Sequence, residues 1–114
     1  MVTLTFNNKI VNFNFLSQEM IDVFDEQIFE FEEKYGMINF DLFQYNRVSY
    51  KMFRDEYDTN EFTPQVVISG FEDDDIIFEL PNEVFDNLPK CARYSQEMYR
   101  YLYFRMLNNE IDNF

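Results

Sequence analysis

Between Asp55 and Glu83 the chain carries ten carboxylates and not one Lys or Arg: Asp55, Glu56, Asp58, Glu61, Glu72, Asp73, Asp74, Asp75, Glu79 and Glu83. Like charges left uncompensated repel one another in a folded chain. A fold that contains this segment must offset that repulsion, and a strongly positive partner is the expected source.

The sequence has the means to fold around it. Hydrophobic residues make up 46% of the 114 positions and aromatics 20%, nearly all Phe and Tyr. That is enough for one core, so a single domain over residues 1–114 is expected. Disorder is disfavoured despite the net charge of −13. Residues 1–88 hold nineteen acids against five bases, a balance of −14, while residues 89–114 hold three acids against four bases, a balance of +1. The acidity belongs to the body of the domain, interrupted throughout by apolar residues, and is no acidic tail.

This balance argues against direct binding of nucleic acid, whose phosphates are met mainly by Lys and Arg, and against anionic membranes. No apolar run approaches the roughly 18 residues of a membrane span. The start, MVTLTFNNKIVNF, lacks the basic and apolar stretches of a signal peptide. The lone Cys91 has no internal disulfide partner, which suits a reducing cytoplasm.

Alternation predicts strands over 2–6 and 10–15, joined at Asn7-Asn8-Lys9 as a hairpin. Ser17 is placed to cap a helix that runs to about Tyr35 and stops at Gly36. Its apolar stripe is Ile21, Phe24, Ile28, Phe31 and Tyr35. Residues 39–45 fit either a helical turn or a strand. Residues 48–57 read as a strand, and 65–69 with 76–80 as a second hairpin whose tip is Gly70–Asp75. Pro81-Asn82 can begin a short helix over 83–87, and Pro89 a longer one to about Leu107. Grouped strands and helices favour an α+β fold: one antiparallel sheet of four to five strands, built from two hairpins and a middle strand, with an acidic helix and an aromatic C-terminal helix packed on it.

Three features carry functional information. On the first helix Glu19, Asp22, Glu26, Glu30 and Glu33 recur at spacings of 3, 4, 4 and 3, on the face opposite the apolar stripe. Their axial steps are about 4.5 to 6 Å, similar to a strand of phosphates. Ordinary exposed helices intersperse Lys at such positions; here only Lys34 is near. The plain alternative is a solvated face. At the hairpin tip, Glu72-Asp73-Asp74-Asp75 offers hard oxygen ligands, but without the spaced acids and central Gly of a calcium loop. A loop that contacts a partner, or stands in water, is the preferred reading, and no metal is assigned. The C-terminal helix combines Tyr94, Tyr99, Tyr101, Tyr103 and Phe104 with Arg93, Arg100 and Arg105, and is apolar nearly all round. Such a helix is usually packed on several sides; the alternative is a homodimer or partner surface.

Catalysis has little to work with. There is no His, which removes the Ser-His, Cys-His and His-metal arrangements. With only Gly36 and Gly70 there is no Gly-rich phosphate loop, so no cofactor is assigned. Converging carboxylates of the glycosidase kind stay open.

In charge, size and poverty of motifs the chain resembles the small acidic proteins that bacteriophages direct against host defence, the anti-CRISPR and anti-restriction inhibitors. The resemblance implies an inhibitor that imitates nucleic acid and occupies the basic groove of a DNA- or RNA-binding protein in the host cytoplasm. The expected contact residues are the helix stripe, Asp55, Glu56, Asp58 and Glu61, and the tip Glu72 to Asp75. Two alternatives share the composition: an immunity protein that neutralises a basic nuclease toxin, and a structural or adaptor domain that dimerises through the aromatic helix.

Overall fold

The computed structural model describes residues 1–55, 57, 60–70 and 74–112. Strands β1 (Val2–Phe6) and β2 (Lys9–Phe13) pair antiparallel with Phe6 opposite Lys9. The intervening Asn7 and Asn8 have φ of 46° and 69°. A two-residue hairpin turn that follows strand twist needs positive φ at both central positions, and Asn tolerates it.

Helix α1 (Gln18–Tyr35) begins where Ser17 Oγ accepts the Met20 N–H and ends at Gly36, whose φ is 97° and whose N–H returns to the Glu32 carbonyl. Ile21, Phe24, Ile28 and Phe31 are buried along one face, as the spacing predicts. The ambiguous segment is helical: α2 (Phe40–Tyr45) is capped by Asn39 Oδ1, which accepts the Leu42 N–H. Strands β3 (Arg47–Arg54), β4 (Phe62–Ser69) and β5 (Ile76–Glu79) form a meander in the order β3-β4-β5. No helix forms over 83–87; residues 81–82 turn, and Phe85 makes a two-bond bridge to Phe62 at the start of β4. Helix α3 (Leu88–Asp112) is capped by Asn87 Oδ1, which accepts the Lys90 N–H at 2.9 Å.

The strands make two antiparallel sheets, of two and three strands, and not the single sheet expected. The reason is α3. Tyr101 and Phe104 meet Phe6, Tyr101 also meets Phe13, and Arg100 donates to the Asn12 carbonyl, so the first hairpin lies on one side of the helix. On another side Ser95 Oγ donates to the Lys51 carbonyl and Gln96 reaches the Tyr50 hydroxyl, both on β3. Phe43 of α2 packs edge-on against Tyr99 and Tyr103. A helix that is apolar nearly all round buries those residues only by packing on several sides, and α3 leaves one exposed strip, Arg93, Gln96, Arg100 and Tyr103. Phe13, Phe24, Phe78, Met98 and Leu102 are almost fully shielded from water, each stabilising the fold by roughly 1.5–3 kcal/mol. Among the described residues Tyr103 is the one aromatic of α3 left exposed.

One buried carboxylate completes the join. Glu97, 8% exposed, accepts the backbone N–H groups of Asn14, Phe15 and Leu16 at 2.8 to 2.9 Å. It thus caps the connection from β2 to α1 from a position more than eighty residues further along the chain.

Candidate functional site

Helix α1 carries carboxylates of two kinds. Asp25 and Glu32 point toward α3, where Arg105 Nη1 lies 3.0 Å from Asp25 and Nη2 lies 3.1 Å from Glu32. Tyr101 donates its hydroxyl to Asp25 as well. Burial, then the hydrogen bond to Asp25, holds the Tyr101 hydroxyl well above its ordinary range. Burial opposes the charge on Arg105, but Glu32 and Asp25 outweigh it and keep the guanidinium protonated.

The other kind is the stripe. Glu19, Asp22, Glu26, Glu30 and Glu33 are all exposed. At about 100° per residue they fall within about 80° of helix surface, over about 21 Å of axis. Asp22 accepts a hydrogen bond from Gln18. Among the described residues the ion pairs are those of Arg105, so no cation is paired with any of the five. Their mutual repulsion destabilises the helix by a few tenths of a kcal/mol per neighbouring pair.

The stripe has a fixed place against the sheet. Gln27, on the same helix, pairs its amide with the backbone of Glu79: Nε2 donates to the carbonyl and Oε1 accepts the N–H. Because β5 is an outer strand, that bond covers part of its open edge. The C-terminal half of α1 lies beside the start of β5, with Glu30 and Lys34 lining a groove with Ile76 and Ile77. The N-terminal turns lie beside its end, where Glu19 lines a groove with Glu83. The stripe therefore runs along one flank of the three-stranded sheet.

The two acidic loops do not converge. Successive turns of a meander lie at opposite ends of their shared strand, and β4 spans about 23 Å. Asp55 and Glu61 stand at one end, where Asp55 accepts the Tyr57 N–H. Asp74 and Asp75, both exposed, stand at the other and lead into β5 beside the C-terminal half of α1. Glu56, Asp58, Glu72 and Asp73 lie outside the described residues. Among the described residues no cluster of three acidic or thiol side chains is arranged to hold a metal.

Most of the basic residues lie elsewhere. Lys9, Arg93 and Arg100 lie over Phe104, Phe15 and Phe13 on the side of the first hairpin. Arg47, Lys51 and Arg54 are exposed on β3, the outer strand opposite β5. The fold thus separates the charges, leaving Lys34 as the one base on α1.

The sequence reading missed Phe29, which is 58% exposed and lines a shallow groove with Met37 and Glu33. Its neighbours one turn away on α1 are Asp25, Glu26, Glu32 and Glu33, so an apolar ring stands among carboxylates. The signal was present: Phe29 falls off the apolar stripe, so it has no place in the core.

Among the described residues no helix is long and apolar enough to cross a membrane. No protein-family model matches the chain, and no curated protein and no solved structure matches it either.

Proposed function

We propose that the protein is a non-enzymatic inhibitor that offers α1 in place of a nucleic-acid backbone to the cationic groove of a DNA- or RNA-binding protein. Inhibitors of this type, carried by phages or mobile elements, act on CRISPR or restriction proteins in the host cytoplasm. The observation that carries the reading is the stripe: five exposed carboxylates on one helical face with no cation ion-paired to them among the described residues, while most of the bases lie on other faces. A surface of one sign steers an oppositely charged partner and raises its rate of encounter. Phe29 supplies the apolar anchor that a charged surface alone lacks.

The test is a double charge reversal, Glu26→Lys with Glu30→Lys. Both side chains are exposed, so stability should change by less than about 0.5 kcal/mol. Association with the basic partner should slow roughly tenfold at low salt. Unchanged association would remove α1 from the contact. An immunity protein for a basic nuclease would use the same surface, and the identity of the captured partner separates the two readings.

A further inference from the structure

The groove at the N-terminal end of the stripe has a composition that suits one kind of occupant. Met20 and Val23 of α1, with Leu80 and Pro81 after β5, give it an apolar lining, and Glu19 of α1 and Glu83 of the β5–α3 connection stand beside them. Its volume is about 180 Å³. That is near the roughly 150 Å³ that admits a benzene-sized group and below the roughly 300 Å³ at which small-molecule sites begin. It fits one side chain rather than a cofactor. The wall is fixed: the Glu83 N–H donates to the Leu80 carbonyl, and Phe85 is bonded twice to Phe62. Among the described residues no cation is ion-paired with either carboxylate.

We infer that this groove takes one Lys or Arg side chain of the basic partner, with the aliphatic stem on Met20, Val23, Leu80 and Pro81 and the charged head between Glu19 and Glu83. The inference rests on the reading above that the partner is a basic protein, and adds where it anchors. Long basic side chains pack their methylenes on apolar surface while the head stays with charge or water. An apolar floor with carboxylates beside it meets both demands.

The test uses N-acetyl-arginine amide, N-acetyl-lysine amide and the neutral N-acetyl-citrulline amide as probes, followed by NMR on the full chain at low salt. The expected result is saturable shifts centred on Met20, Val23, Leu80 and Glu83. The citrulline probe should bind roughly fivefold more weakly or worse, as should the arginine probe to the Glu19→Gln, Glu83→Gln double variant, given two partly exposed ion pairs. Equal binding of citrulline, an unaffected double variant, or shifts centred on Glu26, Glu30 and Glu33 instead would each overturn the groove assignment. Those outcomes leave the inhibitor reading standing if the Glu26→Lys, Glu30→Lys variant still loses the partner. If that variant keeps the partner while the probes bind as expected, the inhibitor reading fails and the groove does not.

Discussion

Gln27 and Glu79 are joined through both ends of one side-chain amide, with Gln27 Nε2 2.6 Å from the Glu79 carbonyl and Oε1 2.9 Å from its N–H. A side chain on the acidic helix thus takes the place of a neighbouring strand for the outer strand β5. The bond fixes α1, and the stripe on it, in register with the sheet. Gln27→Ala leaves a half-buried N–H and C=O without that partner and should cost about 1–2 kcal/mol in urea unfolding. Amide exchange at Glu79 should accelerate more than exchange in β4. Unchanged protection at Glu79 would show that the amide contributes nothing to the edge.

Glu97 tests how the β2–α1 connection is held. Its carboxylate accepts three backbone N–H groups, and Glu97→Ala strands all three close to the core. Charge-assisted bonds of this kind are the stronger ones, so the variant should lose about 3 kcal/mol or more. Glu97→Gln keeps an acceptor oxygen and should lose less. Equal losses for both variants would mean that the role of Glu97 is packing.

The alkaline limb of stability has a named source. Burial pushes the Cys91 thiol up to about 11, with the Ser95 hydroxyl partly opposing, against an ordinary value of 9.0. Between those values the folded chain keeps a proton that the unfolded chain has released, so stability falls as pH rises through this window. The loss from Cys91 should reach about 2 kcal/mol near pH 11. Tyr101, also raised by burial, adds to the loss above pH 10. Urea midpoints across this window should fall less steeply for Cys91→Ala than for the parent. The same slope in both would remove Cys91 from the account.

Salt should stabilise the isolated protein. The stripe repels itself, and added NaCl screens charges on the scale of about 10 Å at 0.1 M. The thermal midpoint should rise between low salt and about 0.3 M NaCl. A midpoint that falls would mean that favourable surface pairs outweigh the repulsion.

The sequence made some of this legible and hid the rest for identifiable reasons. Both faces of α1 follow from local spacing, and its ends from Ser17 and Gly36, because helix geometry depends on near neighbours. Glu97 carried no signal, since an acid on a helix gains its three donors only when a turn from the far end of the chain arrives. The division into two sheets was half visible: α3 is apolar nearly all round, which implies packing on several sides, but not which strands take them. The ten acids from Asp55 to Glu83 look like one cluster in sequence. Among the described ones the meander sets Asp55 and Glu61 at one end of β4 and Asp74 and Asp75 at the other.

The central claim is that the uncompensated face of α1 occupies the place of nucleic acid on a basic protein. Affinity capture from host lysate, with mass spectrometry, supplies that protein, and titrating the purified complex with the partner's own DNA or RNA measures the claim. Release of the acidic protein in proportion to nucleic acid bound, at a fixed ionic strength, is the predicted result. A complex that keeps both ligands at saturation would contradict it.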